Sequence, residues 1–224
     1  MTRAGYVVAA AVAGWATLHH LGRTYGSTRF ERRHPLPGDD LVDDAGIMAT
    51  HAITLAAAPE EVWPWLMQVG WHRAGWYTAR WVDALLFPDN WPSADTIVPA
   101  LQHLEVGDFV PDGPPETECG FVVAEMEPGH HLVLHSTSHL PLSWRVREIG
   151  SVDWSWSFVL TPVGDGTRLV FRWRARTSPW WLTVGAHALL LPADLLMSSD
   201  MLRGIAARVN AFHHQMSGTT RFAG

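Results

Sequence analysis

From Val106 onward, apolar residues of this chain tend to fall on every second position, the spacing of strands with one buried face. "VGDFV", "GFVVAEM" and "HLVLHS" are short runs of this kind, separated by "PDGPPE" and "EPGH", which are turn chemistry. Three longer runs follow. Leu142, Trp144 and Val146 alternate with Ser143, Arg145 and Arg147. Trp154, Trp156, Phe158 and Leu160 alternate with Ser155, Ser157 and Val159, and Leu169, Phe171 and Trp173 alternate with Arg168, Arg172 and Arg174. With the tight turn "PVGDGT" between the last two, the pattern predicts an antiparallel sheet with an aromatic face and an arginine–serine face. The arginine face reads as solvated, with anionic lipid headgroups as the alternative contact.

On either side of this sheet the period is helical. "HAITLAA" (His51–Ala57) still alternates as a strand. "APEEVWPWLMQVG" then opens a helix, with Pro59 in its first turn and Glu60 and Glu61 where the helix dipole favours anions. Residues Trp76–Phe87 give a second short helical pattern. Near the other end, Leu195, Leu202, Ile205, Val209 and Phe212 predict a long amphipathic helix. The apolar "WWLTVGAHALLLP" (Trp180–Pro192) before it is too short to cross a bilayer and reads as a buried segment closed by Pro192. A curved sheet with one apolar face needs a cover, and the terminal helix is the long element available for it. The expected fold is therefore α+β: a helix-grip fold, a curved antiparallel sheet wrapped around a long C-terminal helix, with two short helices after the first strand. It occupies residues 50–217, followed by a tail at 218–224. An apolar N-terminal helix falls in residues 1–31, and a proline- and aspartate-rich linker in 32–49.

Composition narrows the classes. The chain has 224 residues, 47% of them hydrophobic and 17% charged, enough for a real core. Its 13 tryptophans need a deep core or a lined cavity. A net charge of −6 argues against general nucleic-acid binding. Cys119 is the single cysteine, so no intrachain disulfide can form and a Cys-based zinc site is excluded; a reducing cytoplasm fits. Ala4–Leu18 is uncharged but shorter than the roughly 20 residues of a spanning helix. Three readings stay open for it: a helix packed on the protein, membrane contact through residues 4–21, and a cleaved signal. If it inserts, Arg23, Arg29, Arg32 and Arg33 would keep the body at the inner face of the cytoplasmic membrane.

The segments "ITLAAAPEEVWPWLMQVG", "RAGWYTARWVDALL", "SADTIVPALQHLEVGDFVP", "FVVAEMEPGHHLVL" and "WSFVLTPVGDGTRLVFRWR" resemble the START-like SRPBCC superfamily, in particular its bacterial polyketide cyclase/dehydrase-like members. The resemblance covers roughly Leu36 to Phe212. It implies a helix-grip fold with an internal hydrophobic pocket, and no catalytic set common to all members. The expected function is binding of a small hydrophobic, lipid- or polyketide-like molecule as a carrier. The alternative is a cofactor-independent cyclase or dehydratase with a pocket acid–base group.

Within that fold, "MQVGWHRAGWYTARW" falls at the cavity mouth. Trp71, Trp76, Tyr77 and Trp81 are candidate walls, with His72 and Arg73 as polar contacts; Trp144, Trp154, Trp156, Phe171 and Trp173 are candidate lining from the sheet. The competing reading packs both sets into an ordinary core. Tyr77, Asp95, His103 and His135 are weak acid–base candidates, with Asp83, Glu125 and Asp194 beside them, and no spacing selects one. The histidine spacings do not suggest a metal: His130 and His131 should point to opposite faces of a strand, and there is no His-Glu-x-x-His. No metal or cofactor is expected, and nothing in the pattern specifies an oligomeric state.

Overall fold

The computed structural model describes residues 2–86 and 89–220, except the side chains of residues 86 and 214–220. Six strands, β1 (Ile47–Leu55), β2 (Phe109–Pro111), β3 (Gly120–Glu127), β4 (His131–Ser136), β5 (Ser151–Val163) and β6 (Gly166–Ser178), form one antiparallel sheet in the order β1-β6-β5-β4-β3-β2. The β5–β6 hairpin is its spine. Period two in both strands puts Trp156 opposite Trp173 and Phe158 opposite Phe171 on the concave face. Helices α1 (Arg3–Thr24) and α2 (Arg29–Arg33) precede the sheet, α3 (Pro59–Met67) and α4 (Arg80–Leu86) follow β1, α5 (Leu142–Val146) follows β4, and α6 (Trp180–Gly185) follows β6. A π-helical turn (Ala186–Leu190) joins α6 to the long α7 (Leu191–Thr220). This is the expected α+β helix-grip fold.

α7 crosses the concave face because its apolar stripe faces inward: Leu191, Met201, Leu202, Ile205 and Val209 are all buried. Asp194 anchors its first turn. It accepts from His51 Nε2 on β1 at 3.0 Å, Trp173 Nε1 on β6 at 2.8 Å and Ser198 Oγ at 2.8 Å. Farther along, Gly204 lets the helix close on the segment before α4; a Cβ there would come within 1.7 Å of the Tyr77 carbonyl oxygen.

Four local expectations are corrected. Leu142–Val146 is the short helix α5, not a strand: Pro141 starts a helical turn, and Trp144 packs edge-on against Trp181 instead of joining the aromatic face. Trp76 and Tyr77 lie before α4 in non-helical backbone, with Tyr77 at φ +62°; Phe87, at the end of the expected helix, lies outside the described residues. Pro192 does not close the Trp180–Pro192 segment. It sits in the first turn of α7, where a missing N–H costs little, and the segment is partly exposed rather than buried: Trp180 is 75% exposed, and Leu191 is its one buried residue. At the chain end, α7 runs to Thr220, while residues 221–224 of the expected tail lie outside the described residues.

The arginine face is covered rather than solvated. Residues 27–46, including α2 and a 3₁₀ turn at Asp39–Val42, lie along it. Arg172, 2% exposed, meets Asp39 Oδ2 at 2.6 Å and donates to Thr50 Oγ1 and the His34 carbonyl. Arg168 binds Glu31 at 2.7 Å, and Arg174 donates to the Val42 and Asp43 carbonyls. Burial alone would raise the Glu31 carboxyl, but hydrogen bonds from Arg168 and the Thr28 backbone outweigh it and hold it at about 2. Arg145 and Arg147 leave this face with α5.

Candidate ligand site

Large rings fill the centre of the concave face. Trp76 packs edge-on against Trp156 at 5.1 Å and Phe121 at 6.2 Å, and Trp156 meets Phe171 at 5.2 Å. Tyr77 donates its hydroxyl to the Trp65 carbonyl at 2.7 Å, and burial raises its pKa. Trp76, Tyr77, Trp156, Phe171 and Trp173 therefore pack against protein.

Open space lies at one end of this packing. An apolar cleft of about 460 Å³ has Ile47, Val152, Trp154 and Ala175 of the sheet as its floor. Leu182 of α6, Ala186, Leu189 and Leu190 of the π-helical turn, and Ala193 of α7 roof it. Its size suits a small molecule. Trp154 is its main aromatic wall and carries a buried indole Nε1 with no hydrogen-bond partner among the described residues.

His139 closes the inner end. Its ring lies 4.4 Å from Phe121 and 4.9 Å from Trp154. Nδ1 is 2.7 Å from Ser136 Oγ, and Nε2 is 2.9 Å from Asp112 Oδ2. Burial alone would lower its pKa; Asp112 first, then Cys119, overcome that and raise it to about 9. The ring is thus an imidazolium at neutral pH, donating to Ser136 and Asp112. On its far side a second cleft of about 480 Å³ is bounded by Asp112, Pro114, Thr117, Cys119 and Leu142. A larger cleft, about 850 Å³, lies between Arg145, Glu148, Asp153 and Arg176. Its Arg176–Asp153 ion pair of 2.7 Å makes it a charged surface groove, so the apolar cleft is the better ligand site.

A pH dependence follows from His139. Its folded pKa of about 9 lies above the ordinary 6.5, so its stabilisation is complete below pH 6.5 and lost as pH rises through 9. Urea denaturation is expected to show stability falling by roughly 3 kcal/mol across that window. His139→Gln should flatten the slope, and an unchanged slope in that variant would remove the assignment.

The aromatic stretch Met67–Trp81 has other roles at its edges. Arg73 donates to the Val69 and Met67 carbonyls at 2.9 Å, closing the end of α3. His72 stacks between Trp71 and Trp91, 4.3 Å from the latter, and its Nε2 donates to the Asp89 carbonyl. Trp81 is 59% exposed on α4. Of the ligand-binding candidates named from sequence, Trp154 lines the apolar cleft. The acid–base candidates lie elsewhere: Asp95 is an exposed partner of Arg208, His103 is exposed, and His135 pairs with Asp153 at 2.6 Å on the outer face. Asp83 is buried against Thr78, and burial raises its carboxyl. Asp194 is committed to its three donors, and Glu125 to His131. His139, Asp112 and Cys119 escaped the sequence reading because Asp112 and His139 stand 27 residues apart on separate loops.

No protein-family model matches the chain, and no curated protein matches it. Among solved structures, it is similar to a protein from Mesorhizobium loti at a TM-score of 0.44 and 13% identity, covering 74% of this chain and 98% of that one. A protein from Rhodobacter sphaeroides gives 0.43 at 18% identity, covering 75% and 94%. One from Mycobacterium smegmatis gives 0.43 at 12%, also covering 75% and 94%.

Proposed function

We propose that this protein binds a small, largely apolar, lipid-like molecule in the cleft between β1, β5, β6 and the α6–α7 connection, as a carrier that loads from a bilayer. The cleft carries the reading: it is open, of a small molecule's size, and walled by apolar side chains from the sheet, α6 and α7, which suits a hydrophobic ligand. The resemblance to START-like SRPBCC proteins agrees with it. A carrier is favoured over a cyclase because both His139 nitrogens are already engaged by Ser136 and Asp112, leaving no free proton site on the ring for a substrate.

Exposed apolar residues around the mouth support loading from a bilayer. Trp180, Val184 and Leu189 are exposed beside it. α1 packs alongside: Trp15 Nε1 donates to the Ala188 carbonyl at 3.1 Å, and Gly22 lies where a Cβ would come within 2.0 Å of the Leu191 carbonyl oxygen. Its 22 residues span about 33 Å, with Tyr6, Val7, Val8 and Val12 exposed. Within the helical run Trp180–His213, an 18-residue window reaches a mean hydropathy of 1.3, which a membrane span would also show. Met201, Leu202, Ile205 and Val209 are committed to the sheet, so only its first turns are free to meet lipid.

One flotation experiment tests this. The full chain, mixed with phospholipid vesicles, is expected to float with them and, once recovered, to carry lipid in native mass spectrometry. Ala186→Trp, which fills the roof of the cleft, should float but carry none. A chain that neither floats nor retains lipid, or a filled cleft that loads as well as the original, would overturn the proposal.

A further inference from the structure

At the β3–β4 turn, far along the sheet from the cleft, Glu127, His130 and His131 converge. Gly129, at φ +74°, folds the turn back and brings His130 beside the first residue of β4. The two rings were expected on opposite faces; instead their Nδ1 atoms lie 2.9 Å apart. Glu127 Oε2 is 3.6 Å from His130 Nδ1 and 3.7 Å from His131 Nδ1. We propose that Glu127, His130 and His131 form a binding site for a divalent transition metal of the zinc class.

The geometry of the triangle supports this. The nearest point equidistant from the three atoms lies in their plane, about 2.0 Å from each, and a small step off that plane keeps the distances within the range of Zn–N and Zn–O bonds. The three separations also bracket the roughly 3.3 Å between ligand atoms of a tetrahedral zinc. Two imidazole nitrogens and one carboxylate oxygen are a donor set that zinc accepts. Glu127 and His130 are exposed, so a further coordination position opens to water and the ligands have room to adjust.

A second observation points the same way. His131 is nearly buried, and its Nε2 lies 2.9 Å from Glu125 Oε1. A hydrogen on Nε2, donated to this carboxylate, leaves the lone pair of Nδ1 facing the site. Carboxylates orient metal-binding histidines in this way. In the metal-free protein, His130 Nδ1–H donates to His131 Nδ1. Metal binding requires His130 to move that hydrogen to Nε2, which the exposed ring can turn to solvent.

Calorimetric titration of the full chain with Zn²⁺ alone tests the site. One strong ion per chain is expected, and Co²⁺ in its place should give the visible bands of a four-coordinate centre. His130→Ala and Glu127→Gln change exposed residues and should each weaken that site at least tenfold, with circular dichroism of each metal-free variant matching that of the original chain. Glu125→Gln should weaken it 10- to 100-fold at unchanged stoichiometry. Absence of strong zinc binding would overturn the proposal. So would a His130→Ala variant that binds zinc with the original affinity and number, since the ion would then sit on other histidines.

Discussion

Asp194→Ala is expected to lower the unfolding free energy by about 3–5 kcal/mol, among the largest single-residue losses this fold can suffer. The carboxylate is buried where α7 first meets the sheet and receives hydrogen bonds from three elements' worth of donors: His51 on β1, Trp173 on β6, and Ser198 one turn later on its own helix. Alanine leaves the His51 and Trp173 donors buried without an acceptor, and each orphaned group costs about 1–3 kcal/mol. His51 has nothing in reserve, because its Nδ1 is already buried without a partner among the described residues. Asp194→Asn retains an oxygen acceptor and should lose less. Urea unfolding followed by tryptophan fluorescence measures both variants, with an unchanged m-value marking a true stability change. A loss below 1 kcal/mol for the alanine variant would show that α7 is held by its apolar stripe alone.

The apolar stripe and the strand alternation were legible because each is local. Leu202, Ile205 and Val209 state a helical face within eight residues, and Trp156 against Phe158 states a strand face within three. α5 shows where that logic fails. Its five residues alternate as well as any strand, but a single turn started by Pro141 satisfies the same pattern. The arginine face shows a second limit. Period two correctly put Arg168, Arg172 and Arg174 together, yet their partners stand more than 130 residues earlier: Glu31 at the end of the expected N-terminal helix, and Asp39 in a segment whose prolines and aspartates read as a linker.

The candidate site was the least legible part for the same reason. Thirteen tryptophans announced either a packed core or a lined cavity; Trp65, Trp76, Trp156 and Trp173 lie in the core, and Trp154 and Trp181 border an open cleft. Trp76 and Tyr77 wedge into the middle of the concave face, which confines the open space to the end under α6. Trp154, one pleat beyond Trp156, borders that space. Which tryptophan borders open space is therefore decided by how far the core reaches along one strand, a property that no local pattern encodes.

Asp39→Ala is the second large loss, again about 3–5 kcal/mol, and it tests whether the N-terminal segment belongs to the folded unit. Arg172 is almost fully buried beneath that segment. Burial pushes its guanidinium pKa down, while Asp39, 2.6 Å away, opposes that shift. Asp39 is itself positioned by the Leu36 backbone N–H, which donates to it at 3.0 Å. Removing Asp39 leaves a buried cation with only carbonyl and hydroxyl acceptors, which do not offset the cost of desolvating a charge. The double variant Asp39→Ala/Arg172→Met removes both charges and should lose clearly less than the sum of the two single changes, by about 1–3 kcal/mol. Chemical denaturation of the four proteins gives that coupling directly. Limited proteolysis should cut residues 34–46 faster in Asp39→Ala than in the original chain. If the single variant keeps full stability and resists the protease as before, the segment is held by Glu31 and Arg168 instead, and the Arg172–Asp39 pair is not what fastens it to the sheet.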